Sequence, residues 1–281
     1  MRFVPAAIAA LAFATPLAAQ DAPPATPEIE IGNIITVGAG IIYGPDYEGS
    51  DEYRLIPGAA FRADLGDISI QSRGLEIVAN LIPDSDNRVQ FVAGPIAGVR
   101  LNRTGEVEDE RVDQLPRLDT AVELGGFAGV SIGQLTNPYD SLSLKLEAVH
   151  DVAGAHGGTI VSPVIDFSTP LSLASFASLS LSADFVTDDY ADYYFSVDPV
   201  NFVTAPEIEP LRAYEADGGL KNISATLIGA YSLEGDIRSG WGIFGIVNYS
   251  RLMGSIADSP LVADVGSADQ FFTGAGIGYS F

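Results

Sequence analysis

The last eleven residues, Phe271 to Phe281 (FFTGAGIGYSF), alternate strictly between two kinds of side chain and stop on an aromatic. Phe281, Tyr279, Ile277, Ala275, Thr273 and Phe271 share one face, and Ser280, Gly278, Gly276 and Gly274 share the other. A period of two is the period of a β-strand. One face is mostly apolar and the other is stripped to glycine and serine, which suits a wall with lipid outside and a crowded lumen inside.

The opposite terminus is of another kind. Arg2 is the only charge before Asp21, Phe3 to Leu17 is almost wholly apolar, and Leu17-Ala18-Ala19 offers small residues ahead of Gln20. This is the layout of a cleaved signal peptide over residues 1–19. Fifteen apolar residues are short for a helical span, and no stop-transfer pattern follows. Residues 20–33, rich in proline, read as a flexible leader, and the folded unit is expected over 34–281.

Composition narrows the classes further. The chain has 14 Lys+Arg against 37 Asp+Glu, a net charge of −23, yet 47% of it is hydrophobic. Nucleic acid is excluded as a partner because phosphate needs clustered Lys and Arg. With no cysteine, disulfides and thiolate zinc sites are excluded. The apolar surface of so acidic a chain, without a long apolar helix after the signal, finds a place on a barrel that faces lipid.

Alternation runs through the whole mature part. Leu179, Leu181, Ala183 and Phe185 oppose Ser178, Ser180, Ser182 and Asp184, and Leu142, Leu144 and Leu146 oppose Ser143, Lys145 and Glu147. Similar segments fall at 34–43, 89–100, 120–133, 158–167, 220–233 and 241–251. Aromatics (Tyr43, Tyr53, Trp241, Tyr249, Phe271, Tyr279) stand near strand ends, where an interfacial girdle puts them. The expected fold is all-β, a transmembrane antiparallel up-and-down barrel.

Parity fixes the topology. Bacterial barrels have an even strand number, short periplasmic turns and long outer loops. If Phe281 ends in the periplasm, 254–270, 188–218, 150–156, 102–118 and 44–52 are outer loops, and 234–240 is a turn. The segment 67–81 must then hold two short strands that break near Arg73-Gly74. This gives twelve strands, with ten or fourteen as alternatives.

No motif points to catalysis, a cofactor or a resident metal. Gly38-Ala39-Gly40 with Gly44 lacks the spacing and helix of a dinucleotide site. His150 and His156 lie near Asp151 but show no metal spacing. Asp84-Ser85-Asp86-Asn87 begins like a calcium loop but lacks its Gly and Glu. The acids at 46–52, 106–110 and 188–192 read as solvated outer loops; the alternative is that they bind divalent cations beside lipopolysaccharide phosphates. Arg54, Arg62, Arg100, Glu123, Lys145, Glu147, Asp166 and Asp184 are the candidate lumen charges. Charges of both signs in a lumen either pair into a plug or line a path for small, cationic solutes.

Several segments then resemble the MltA-interacting protein (MipA)/OmpV family of outer-membrane proteins. They are Tyr43-Gly44-Pro45-Asp46-Tyr47-Glu48-Gly49-Ser50-Asp51, Leu118 to Gly125, Asp188-Asp189-Tyr190 with Tyr194 to Val197, Tyr249 to Gly254 followed by Ala257 to Val262, and the closing Gly278 to Phe281. The acidic stretch Glu106–Asp113 departs from that pattern. The resemblance implies a non-enzymatic envelope scaffold that links murein synthases and hydrolases. The ending Ile277, Tyr279 and Phe281 resembles the tag read by the barrel-assembly machinery. Outer-membrane lipid and lipopolysaccharide are the further partners expected.

Overall fold

The computed structural model describes residues 33–83, 87–198 and 208–281. The expected signal peptide, nearly all of the leader and Asp84–Asp86 of the calcium-loop-like turn lie outside them. Twelve strands form one closed antiparallel barrel. They are β1 (Ile34–Pro45), β2 (Tyr53–Leu65), β3 (Ile68–Arg73), β4 (Glu76–Asn80), β5 (Val89–Arg100), β6 (Ala121–Gly133), β7 (Ser141–Asp151), β8 (Thr159–Ser172), β9 (Ser175–Val186), β10 (Gly219–Ser232), β11 (Gly240–Leu252) and β12 (Asp269–Ser280). Each pairs with its sequence neighbour, and β12 closes onto β1 with Thr36 opposite Ser280 and Tyr43 opposite Thr273. As parity requires, 67–81 divides into β3 and β4. Strand ends differ by a few residues, the largest shift being β8, which runs to Ser172 rather than Phe167.

Burial follows the alternation, but with the apolar side turned out. In β1, Ile35, Val37, Ile41 and Tyr43 are 40–57% exposed, while Thr36, Gly38, Gly40 and Ile42 face the lumen. An exposed apolar belt this continuous is a surface for lipid or a partner. Tyr43 stacks on Tyr53 at 5.3 Å and Tyr249 meets Phe271 at 4.9 Å on the end that carries the long loops. At the short-turn end Trp241 meets Tyr279 at 5.2 Å, and Tyr279 meets Phe281 at 4.9 Å. The two groups of rings match the girdles expected from sequence.

The closing seam needs its glycines. The Phe244 ring lies across the lumen face of β1 and β12, and a Cβ added at Gly276 would stand 2.5 Å from that ring and 2.5 Å from the Ala39 carbonyl. Aromatic cover of strand glycines also lends the seam rigidity that bare glycine lacks.

Buried apolar packing gathers at the long-loop end. Helix α1 (Asp188–Phe195) starts after extended Thr187 with two aspartates in its first turn, where acidic groups favour the helix dipole. It turns Tyr190, Ala191, Tyr194 and Phe195 inward, each at most 1% exposed. Two short helices, α2 (Gly254–Asp258) and α3 (Pro260–Ala263), lie beside it. Ser259 ties them together: its hydroxyl donates to the Phe195 carbonyl at 2.6 Å and accepts from Leu261 N–H at the start of α3. Tyr47, Val112, Leu115, Val197, Leu211, Leu261 and Val265 form a second apolar cluster from four loops. Segments expected as solvated loops therefore cap the barrel. Many of their tyrosines and aliphatic residues bury against one another, and Asp46 is buried with them.

Candidate functional site: the capped lumen

Most lumen-facing charges collect on the wall made by β3 to β10, beneath the cap. Lys145 and Glu147 of β7 and Asp166 of β8 stand on one face, because Ser143 is opposite Asp166 and Lys145 opposite Val164 in the ladder. Lys145 bridges Asp166 and reaches Glu147 at 3.6 Å. The Glu147 carboxylate also accepts two bonds from Arg73, at 3.1 and 2.7 Å, and Arg73 is held in turn by Glu76 at 2.9 Å.

A second chain lies nearer the cap. Arg100 of β5 donates to both oxygens of Glu123 on β6, at 2.8 and 3.0 Å. His156 Nε2 lies 3.2 Å from the same carboxylate. Tyr190 of α1 sits between two cations, with the Arg100 guanidinium 5.5 Å and the Lys221 ammonium 5.4 Å from its ring centre. Its hydroxyl donates to Glu48 at 3.0 Å, and Lys221 donates to the other Glu48 oxygen at 2.7 Å. Asp184 is 3.5 Å from Lys221 and accepts from the Ser162 hydroxyl at 2.6 Å. One hub thus joins the first loop, α1, β5, β9 and β10.

Two of the expected lumen charges stand apart. Arg54 lies at the long-loop rim, half exposed, and pairs with buried Asp46 at 3.0 Å. Arg62, lower on β2, pairs with Asp64 at 2.9 Å and donates to Gln71 at 3.2 Å.

Sequence reasoning missed Lys221, Glu48, Glu76 and the lumen role of Arg73. For Lys221 the cause is a bulge. Leu220 is opposite Phe185 and Asn222 opposite Asp184, so Lys221 is the extra residue. Strict alternation from Asn222 sends Lys221 toward lipid, whereas a bulge re-aims it inward, where it is 3% exposed. Glu48 belongs to the acidic first loop, whose sequence reads as solvated; that loop folds back over the mouth.

The Glu48 carboxyl feels opposing influences. Burial pushes its pKa up, but the charges of Lys221 and Arg100 and the bonds from Lys221 and Tyr190 outweigh this and hold it below the usual carboxylate range. Burial raises the phenols of Tyr190 and Tyr194 well above their ordinary value. It also lowers the Arg103 guanidinium to about 10, where its nearest cap contact is a bond to the Tyr194 carbonyl at 3.1 Å.

The other candidates are placed as follows. His150 lies on the outer face of β7, with Nδ1 3.0 Å from the Thr159 hydroxyl. Gly38 and Gly40 line the seam. Asp109 accepts from the backbone N–H of Arg111 and Val112. Among the described residues, no three His, Asp or Glu side chains converge to hold a metal ion.

Inside this charged wall lies a cavity of about 290 Å³, bordered by Arg73, Glu76, Arg100, Glu147, Asp184, Lys221 and the serines of β8 and β9. The inward acidic strand start at Glu123 lies in one of the segments that carry the family resemblance, and the family model described as "MltA-interacting protein MipA" matches residues 37–281. The chain belongs to the MipA family. No curated relative matches it. Among solved structures, this MipA-family chain is similar to the CymD monoaromatic hydrocarbon channel, at 13% identity over 89% of this chain and 88% of that one, with a TM-score of 0.38. Similarity also extends to the outer-membrane channel DcaP of Acinetobacter baumannii (13% identity, 89% and 96% covered, TM-score 0.36) and to the Pseudomonas putida toluene transporter TodX (10%, 89% and 89%, 0.36).

Proposed function

We propose that this MipA-family chain is an exported outer-membrane barrel that acts without catalysis, as an envelope scaffold. In this reading the long-loop end faces out, and the short turns offer a binding surface to murein-remodelling enzymes in the periplasm. The observation that carries it is the cap. Tyr190, Tyr194 and Phe195 seal the outer mouth at 0–1% exposure, and lumen charges beneath them are spent on one another. A wall this occupied supports display better than flow. The family name supplies the class of partner, an enzyme of the MltA kind.

The turn over 234–240 is a structured connection at the short-turn end. Arg238 clamps Asp236, and the Glu234 carboxylate accepts from Trp241 N–H at 3.1 Å. A pull-down of murein synthases and hydrolases from envelope extracts tests the reading. Capture should be lost in the double variant D236K/R238E, which keeps the ion pair and reverses its polarity. Unchanged capture, or none by the wild type, would sink the scaffold.

One observation favours a second reading, a narrow cation path. The two lumen chains hold six carboxylates (Glu48, Glu76, Glu123, Glu147, Asp166, Asp184) against four fixed cations (Arg73, Arg100, Lys145, Lys221). Planar-bilayer recording separates the two: discrete cation-selective steps support the path, and silence across salts and voltages removes it.

A further inference from the structure

The barrel wall is incomplete on one side. β2 pairs with β1 along its whole length but with β3 only over Arg62–Leu65. The β3–β4 hairpin turns back at Gly74, and β4 rejoins β5 with Glu76 opposite Gly98. From Tyr53 to Ala60, β2 therefore has no strand on its hairpin side among the described residues. At the level of the hairpin tip, β2 and β5 stand three interstrand spacings apart, roughly 14 Å. On this stretch even an inward residue, Ile56, is 37% exposed, and outward Leu55 is 69% exposed.

We propose that this gap is a side window that admits a zwitterionic amphiphile of the phosphoethanolamine class, its head in the lumen cavity and its chain in the bilayer. The inference rests on the membrane-barrel reading and goes beyond the scaffold. Three observations carry it. The cavity reaches the window, since Arg73 and Glu76 at the hairpin tip and Arg100 at the top of β5 all border it. Those groups carry both signs within one site, so a phosphate would share Arg73 and Arg100 with their carboxylate partners Glu147 and Glu123, while an ammonium would share Glu76 with Arg73. The window frame is apolar, with Leu55 and Ile56 on one side and Leu75 on the other, the last 58% exposed.

An added strand from another protein fits less well. Phe61 N–H bonds to Ser72 on the hairpin side, and alternate residues of a strand face the same neighbour. Pro57 therefore turns toward the gap with no N–H to give, the device that blunts an open edge. In a bilayer the remaining edge groups need polar company, which a headgroup and its water provide.

The absence of cysteine allows single labels. Bimane on I56C is placed in vesicles of phosphatidylglycerol that contain chain-brominated phosphatidylethanolamine. Outward L181C and cavity-facing T226C serve as controls. The expected result is strong quenching at I56C, about threefold above T226C, because a continuous wall keeps chains out. Moving the bromines to phosphatidylglycerol should weaken it, and R73Q should raise the half-quenching fraction about tenfold, the worth of one charge-assisted contact. Because R73Q strips Glu147 of its partner, S180F provides a second variant that fills the cavity and leaves every ion pair in place. Quenching at I56C no greater than at T226C overturns the window. Quenching that ignores the headgroup and both variants overturns the head site. Failure of the membrane reading shows separately, as no quenching at L181C.

Discussion

Arg73 and Glu147 are 74 residues apart in the chain and meet across the lumen in a two-pronged ion pair, with nitrogen–oxygen distances of 3.1 and 2.7 Å. The pair fastens the tip of the shortest hairpin to the middle of β7. The Glu147 side chain is buried, and the guanidinium is half open to solvent. E147Q should cost about 1–3 kcal/mol, less than a fully buried pair because water screens one partner. The check is the denaturant midpoint of the folded band on a heat-modifiability gel, with the loss absent from E106Q, whose partner Arg117 is exposed.

Phe195 is the fully buried end of the cap helix, and its carbonyl is held by Ser259. F195A should open a cavity worth about 3 kcal/mol. Amide exchange in 188–195 should then speed by about two orders of magnitude, while β11 and β12 keep their protection. Equal loss in strands and helix would mean that cap and barrel unfold as one unit.

Asp140 sits in the turn after β6. Burial pushes its carboxyl up, but bonds from the Thr136 hydroxyl and from the N–H groups of Thr136, Leu135 and Asn137 outweigh this and hold it below the usual range. A carboxyl with a depressed pKa contributes stability above the ordinary aspartate value of about 3.9, and loses it as pH falls through the folded value. Protection of the Leu135 and Asn137 amides should thus be flat down to ordinary aspartate pH and fall below it. In D140N it should be weak at every pH.

Gly276 has room for no side chain. G276V would drive Cβ into the Ala39 carbonyl and the Phe244 ring, so it should abolish the heat-resistant band. F244A should relieve only the ring clash and rescue little, because the carbonyl remains.

Removing Phe281 tests the expected assembly tag. Its backbone N–H donates to the Ile35 carbonyl at 2.9 Å, a single bond at the barrel's end. Loss of this residue should lower the yield of folded barrel in cells far more than it lowers the denaturant midpoint of what does fold. Parallel losses would make it a structural residue and no tag.

The wall of this barrel was readable from sequence wherever period two held. Leu179 and Ser180, or Leu146 and Glu147, go to opposite faces because nothing interrupts the pleat between them. The split at Arg73-Gly74 followed from parity alone. Lys221 was invisible because one inserted residue reverses which face it takes. The cap was invisible for a different reason. Tyr190, Ala191, Tyr194 and Phe195 do stand at helical spacing, but over only two turns inside an acidic loop, and the residues that bury them come from loops far away in sequence. Glu48 likewise reads as a solvated acid until the mouth closes over it.

The seam between β1 and β12 also has a bearing on time. Thr36 and Ser280 share a hydroxyl contact at 2.8 Å across 244 residues, so the first strand waits for the last before the ring can shut. Contacts this distant are slow to form, and every ladder made before them leaves two raw edges open to other chains. An unclosed ring thus exposes two edges for as long as this distant seam takes to form.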